Sequence, residues 1–248
     1  MNQRFFLYIS FNGSKYHGWQ KQNNAITVQS VIQDSINKFI NGQIEIHGAG
    51  RTDTGVHARE MVAHVDLFQI NTKDFLYRLN SILPNDIKVF KILPVKDKSH
   101  ARFDALKRCY KYYFTKEKNP FMLDTSFFYS NNLDFNIMNK ACDILINNKD
   151  FKSFEKSNSG SNNSLCKIYN IGFEQQKDFT VFNICANRFL RNMVRSLLGT
   201  LFLLGENKIS LEDLNNIIES RNRSNAGNSV PAKGLFLDKI FYPNDIFN

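Results

Sequence analysis

Apolar positions along this chain repeat with two periods, and their alternation predicts the order of its elements. Residues 4–11 form a short apolar run closed by Asn12-Gly13, a turn pair, and read as a strand. Val28, Val31, Ile32, Ile36, Phe39 and Ile40 recur at helical spacing, with Gly42 placed to cap the helix end. A strand opens at 44–46. Met61, Ala63, Val65 and Leu67 then alternate with Glu60, His64 and Asp66, the period of a half-buried strand. His64 therefore reads as a strand-face residue rather than a ligand. Phe75, Leu76, Leu79, Ile82 and Leu83 give a second helix, stopped by Pro84, and 87–93 is another strand. The order β-α-β-β-α-β is that of a split, ferredoxin-like unit.

The second half repeats that order with one added helix. Residues 108–114 alternate as a strand, and Ile137, Met138, Ala141, Ile144 and Leu145 mark a helix face. Residues 153–164, rich in Ser, Asn and Gly, read as a flexible loop. Strands are expected at 165–173, 179–186 and 234–242, and helices at 188–204 and 211–220. The predicted fold is α+β, with two ferredoxin-like halves over 1–105 and 106–248. Their sheets could join edge to edge into one continuous, mostly antiparallel sheet, helices packed on it, with a cleft between the halves.

Composition narrows the class. Hydrophobic residues make up 42%, with 23 Phe, which excludes disorder as the overall state. A formal net charge of +9 favours a polyanionic partner, nucleic acid or an anionic membrane surface. No run reaches the roughly 18 apolar residues of a membrane span; the longest, 189–204, is broken by Arg191 and Arg195. The first residues lack the pattern of a secretory signal. Cys109, Cys142, Cys166 and Cys185 form no C-x-x-C pair, so neither a zinc site nor a disulfide framework is expected, and reduced thiols in a cytoplasmic protein are. The five histidines form no H-x-x-x-H pair, and no metal site is expected.

The chemistry concentrates at 47–58. Three glycines, Arg51, Asp53 and two histidines fall in that window, between two strand-like segments. Glycines there allow close approach of backbone to a ligand. Residues 14–22 mix Lys15 and Lys21 with Tyr16 and Trp19, which suits either a nucleic-acid contact or a surface loop whose Trp19 plugs the core. Arg188, Arg191 and Arg195, at i, i+3 and i+7, would share one helix face. Asp53-Thr54-Gly55 also matches the aspartic peptidase triplet, but that chemistry needs two carboxylates sharing a proton. The nearest second candidate, Asp124-Thr125-Ser126, lacks the glycine. The glycine spacing fits no nucleotide-binding loop.

Gly50-Arg51-Thr52-Asp53-Thr54-Gly55-Val56-His57-Ala58 resembles the signature of the TruA family of tRNA pseudouridine synthases. Five further stretches resemble that family in order: 13–20, His100-Ala101-Arg102-Phe103 with Arg108 and Tyr110, 150–154, 186–195 and 232–235. The resemblance implies the pseudouridine synthase fold and isomerisation of uridine at positions 38, 39 and 40 of the tRNA anticodon stem-loop. It implies no metal or cofactor, and a homodimer. Carried over, Asp53 is the essential carboxylate, Arg195 its ion-pair partner, and Arg51 the residue that supports base flipping. Tyr110 would stack on the uracil and Leu235 pack under it. Lys15, Lys21, Arg102, Arg108, Arg188 and Arg191 would track phosphates. Asn12, Thr54, Cys109 and Lys167-Ile168 depart from the family's usual residues, the last two putting backbone contacts in doubt. The rival reading is a catalytically silent RNA-binding protein or chaperone.

Overall fold

The computed structural model describes residues 2–40, 43–68, 70–160 and 163–247. Gly42, expected as a helix cap, lies outside them. The chain divides into two compact units, Met1–Lys107 with Phe236–Asn248, and Arg108–Leu235. Among the described residues no helix is long and apolar enough to cross a membrane.

In the first unit, strand β1 (Asn2–Phe11) is buried continuously from Phe5 to Ile9. Apolar side chains on both faces are the mark of a strand covered on both sides. Helix α1 (Val28–Asn37) begins at a reciprocal cap. The Thr27 hydroxyl accepts from Ser30 N–H, and the Ser30 hydroxyl accepts from Thr27 N–H. Strand β2 (Ile46–Gly48) and strand β3 (His57–Phe68) pair antiparallel. Helix α2 (Thr72–Ile82) is capped by the Asn71 side chain, which accepts from Lys73 and Asp74 N–H. Strand β4 (Ile87–Val95) completes the set. β1 lies between β3 and β4, antiparallel to both.

The β1–β4 register slips between Tyr8 and Ile9, leaving Phe90 as an extra residue in β4. The Asn80 amide repairs the break. Its Nδ2 donates to Val89 O at 2.7 Å and its Oδ1 accepts from Val89 N at 3.0 Å.

In the second unit, strand β5 (Lys107–Thr115) carries a short parallel partner, β6 (Phe127–Phe128), at its end. After helix α3 (Phe135–Asn147), strands β7 (Ile168–Gln175) and β8 (Thr180–Ala186) follow. β8 lies between β5 and β7, antiparallel to each. Helix α4 (Met193–Gly205) buries eleven of its thirteen residues, so it is apolar all round. Helix α5 (Leu211–Ser220) is amphipathic and opens with a Ser210–Asp213 capping box. In the first unit, residues 236–241 of strand β9 (Leu235–Phe241) pair in parallel with the start of β3, Phe236 opposite His57, while Leu235 closes the second unit.

Three expectations are corrected in this unit. The helix expected over 188–204 starts only at Met193, because Asn192 adopts a left-handed conformation with φ 67°. Its Nδ2 donates to the Ser229 hydroxyl at 2.6 Å. Arg188 and Arg191 precede the helix and do not share its face with Arg195. The loop expected over 153–164 begins as a packed turn. Phe151 and Phe154 are fully buried and the Ser153 hydroxyl donates to Ile217 O at 2.6 Å. Residues 161 and 162 lie outside the described set.

The third correction concerns the cysteines. Cys109 and Cys185 occupy one register position of β5 and β8, Cα atoms 4.1 Å apart, and form a disulfide. Strand register creates this pair across a sequence separation of 76, where spacing gives no sign of it. Cys142 and Cys166 are free and buried, and burial pushes their thiols up to about 12 and about 11.

His64 gives the first unit a pH dependence. Burial, followed by the charges of His100, Arg4 and His47, pulls its pKa from 6.5 down to about 3. The unfolded chain therefore binds a proton that the folded chain refuses between those values, so stability falls as pH drops through that window. Urea unfolding of wild type and His64→Gln from pH 7 to 3 should show a shallower decline for the variant. Parallel curves would remove His64 as a source of the dependence.

Candidate active-site loop and its supports

The signature loop joins β2 to β3. Ala49 N–H donates to Val62 O at 2.8 Å, extending the ladder past the end of β2. Val56 N–H donates back to Asp53 O at 3.2 Å, with Gly55 at φ 79°, so Asp53 opens a tight turn. Asp53 is partly exposed and Arg51 exposed. The Thr52 hydroxyl is buried without a hydrogen-bond partner among the described residues.

The loop rests on the segment after β1, and the contacts are mostly backbone. Gly13 N–H donates to His57 Nδ1 at 3.1 Å and Gly55 N–H to Tyr16 O at 3.3 Å. Trp19 N–H points at Thr52 O at 3.4 Å. Two glycines make this approach possible. A Cβ on Gly13 would lie 2.0 Å from Val56 O. On Gly18, at φ 82°, it would lie 2.2 Å from Thr52 O.

Below the contact, the Tyr16 hydroxyl donates to Asp86 Oδ1 at 2.6 Å and Asn12 N–H donates to Asp86 O at 2.9 Å. Burial, then the Asp86 bond, raises the Tyr16 pKa well above its ordinary value. Of the two readings open for residues 14–22, Trp19, at 2% exposure, and Tyr16 follow the core one. Lys15 stays out, its side chain 83% exposed and 3.9 Å from Asp86. Lys21 is also exposed.

His57 is the support that spacing alone did not identify. It is fully buried, accepts from Gly13 and stacks on Phe236 at 4.5 Å. Its signal in the sequence is position, since it is the first residue of the strand leaving the loop. Arg102, also in this unit, is exposed with its guanidinium 5.6 Å over Phe103.

In the second unit, Tyr110 on β5 is half-buried and its ring meets Phe189 edge-on at 5.1 Å. Tyr112, two residues on, is buried, donates to Pro231 O at 2.8 Å, and has its pKa raised by that burial. Leu235, just after the turn at Ala232–Gly234, is buried.

Arg195 is tied to one residue, Val230, in both directions. Its Nε donates to Val230 O at 2.8 Å, and Val230 N–H donates to Arg195 O at 3.1 Å. The 227–230 segment lies against α4 because Gly199 has no side chain, and a Cβ there would sit 1.8 Å from Asn228 O. Gly227 N–H also donates to the Thr200 hydroxyl at 2.9 Å. The guanidinium thus projects from a helix with little freedom to shift. Arg108 donates to Asn187 O at 3.0 Å and Arg188 to Asn163 Oδ1 at 2.7 Å, while Arg191 is exposed. No group of three or more His, Cys, Asp or Glu among the described residues could hold a metal ion.

The loop between β2 and β3 thus presents one carboxylate, Asp53, on a turn held by backbone contacts. The model of a family described as tRNA pseudouridine synthase matches residues 7–104 and 141–243. Relatives called tRNA pseudouridine synthase A agree over nearly full length. The one from Azobacteroides pseudotrichonymphae is 47% identical over 98% of each chain. That from Porphyromonas gingivalis is 44% identical over 98% of this chain and 99% of its own. That from Thermoanaerobacter pseudethanolicus is 40% identical over 95% and 98%. The chain belongs to the tRNA pseudouridine synthase family.

Gly18→Ala should lower the unfolding free energy by about 1–3 kcal/mol, through overpacking against Thr52 and a strained φ. Urea denaturation measures this, and an unchanged midpoint would mean that the two backbones are free to separate.

Proposed function

We propose that this protein isomerises uridine to pseudouridine in tRNA, at positions 38, 39 and 40 of the anticodon stem-loop. The observation that carries the reading is Asp53 on its locked turn, in a chain 47% identical to a tRNA pseudouridine synthase A. The reaction breaks the N1–C1′ bond, turns the uracil, forms C5–C1′, and exchanges the C5 proton for one on N1. Atoms and electrons balance within the substrate. A paired uridine must first leave the stack, at a cost of a few kcal/mol.

In this reading Asp53 is the catalytic carboxylate, acting in its ionised form, and Arg195 is its ion-pair partner. An opposite charge nearby keeps a carboxylate ionised. The Val230 tether supports that role, because it fixes where the guanidinium starts. Arg51, exposed on the loop, fills the space of the flipped base. Tyr110 stacks on the uracil, with Phe189 bracing its ring from the side, and Leu235 packs beneath. Lys15, Lys21, Arg102 and Arg191 contact phosphates from exposed positions, and Arg108 and Arg188 from protein-bonded ones.

The proposal includes the family arrangement: two ferredoxin-like halves, 1–105 with the catalytic loop and 106–248 with Tyr110 and Arg195, on one continuous sheet around the catalytic cleft. The β4-β1-β3 order with β2 on β3, and the antiparallel β5-β8-β7 set, support it. A cytoplasmic homodimer completes the reading.

Mapping pseudouridines in bulk tRNA incubated with purified protein tests it. Wild type should modify the anticodon stem-loop, and Asp53→Ala should form none while still binding tRNA. Binding without modification by wild type would establish the silent RNA-binding reading instead. Arg195→Lys should lose most of its turnover, about tenfold or more, because a point charge replaces a planar fork. A near wild-type rate would remove the ion pair from the mechanism.

A further inference from the structure

Four aromatic rings in the first unit form a connected ladder that none of the roles above uses. His47 on β2 faces His64 on β3 at one register position, and their rings stack at 4.9 Å, 27° apart. His100 meets His64 at 4.4 Å, edge to face. Phe103 meets His100 at 4.3 Å. The ladder passes through the core at His64, 3% exposed, and reaches solvent at both ends, at the exposed His47 and at Phe103, 73% exposed. We propose that this ladder is a stacking subsite for an unpaired base of the RNA substrate, with Phe103 as its outer plate. It rests on the tRNA reading above.

Rigidity is the first argument. An exposed Phe on a mobile loop means little, but the turn carrying Phe103 is bonded to the sheet. Ala101 N–H donates to His64 Nδ1 at 3.2 Å, and Tyr242 Oη donates to Ala101 O at 2.6 Å. Arg4 donates to Ser99 O at 2.9 Å while its other nitrogens grip both oxygens of Asp66 at 2.7 Å. Within the turn, His100 N–H donates to Asp104 at 2.7 Å and Arg102 N–H to His100 Nδ1 at 3.1 Å. The ring is presented on a braced scaffold, which keeps the ordering cost of binding low.

Chemistry is the second. The Arg102 guanidinium lies 5.6 Å over the exposed Phe103 ring, a cation–π contact from which an incoming base would displace the cation toward its own phosphate. A nucleotide offers their complements, a flat base and a phosphate. An apolar protein partner would leave that exposed cation and the partly exposed His100 poorly matched. Burial holds His64 near 3 and also lowers His100, so at neutral pH these two rings are uncharged and brace Phe103 as neutral aromatic surfaces. Position is the third. β2, which carries His47, runs directly into the loop of Arg51 and Asp53. Seven residues of β3 separate His57, at the end of that loop, from His64, so a base held here belongs to a part of the RNA about 20 Å along the strand from the reacting nucleotide.

The test uses full-length protein and an unmodified tRNA transcript. Binding, the KM for pseudouridine formation, thermal stability and oligomeric state are measured for Phe103→Ala, Phe103→Leu and Phe103→Trp. Stacking of one base predicts a ten- to hundredfold loss of tRNA affinity for Ala and Leu, seen mainly in KM, with Trp restoring it. Leu keeps the apolar surface and lacks the π-face, so affinity near wild type in the Leu variant overturns the proposal. Loss of affinity that tracks a change of oligomeric state also overturns it, assigning Phe103 to a contact with a second copy. The two readings fail separately. A wild type that binds tRNA but forms no pseudouridine, with the Phe103 effect intact, defeats the enzymatic reading alone. An active enzyme indifferent to Phe103 defeats the subsite alone.

Discussion

Two backbones in this protein approach so closely that no side chain fits between them, and the position of Asp53 depends on that approach. Gly13 and Gly18 bring residues 13–19 against residues 52–57. Contacts from Gly13, Tyr16 and Trp19 then hold the turn with main-chain groups or a buried imidazole. Backbone groups cannot change rotamer, so a loop held this way keeps its shape although its tip is exposed. In the proposed reaction, preorganisation of that kind would let the carboxylate act without the loop being rebuilt at each turnover. The same constraint explains why a basic, aromatic segment is partly buried. Tyr16 and Trp19 are its footing, and Lys15 and Lys21 are left to face outward.

A parallel solution holds Arg195. Burying a helix on every side demands small residues wherever another segment crosses, and Gly199 meets that demand against Asn228. The segment so admitted returns two hydrogen bonds to Arg195. A long, rotamer-rich side chain thereby loses much of its freedom before any substrate arrives. In both units a glycine contact at a distance sets where a charged side chain starts, Asp53 in one and Arg195 in the other.

Element order was legible in the sequence because apolar periodicity reflects burial directly. β1, α1, β3, α2, β4 and α5 follow it closely. What stayed hidden depends on contacts between distant residues. Nothing near Asn192 announces a left-handed residue, since its side chain is bonded to Ser229. The Cys109–Cys185 pair exists only once β5 and β8 are in register. Composition misled at 153–164 because Phe151 and Phe154 anchor a segment whose remaining residues are polar. Of the candidate site, Asp53 and Arg51 stand out in the composition of their loop, whereas Tyr110 is singled out only by the family resemblance. His57 could not be assigned its place, because a buried histidine shows its partner only in three dimensions.

Trp19 is the only tryptophan in the chain. Its indole lies against Gly48 at the entrance to the loop, so close that a Cβ on Gly48 would sit 2.3 Å from Nε1. The backbone N–H of Trp19 faces the carbonyl of Thr52, the residue before Asp53. The protein therefore carries its one tryptophan fluorophore directly under the candidate loop. Any rearrangement that lifted the loop would let water reach the indole and shift its emission to longer wavelength. The seating of the turn can thus be followed by light, in the unlabelled protein and in real time, as RNA arrives.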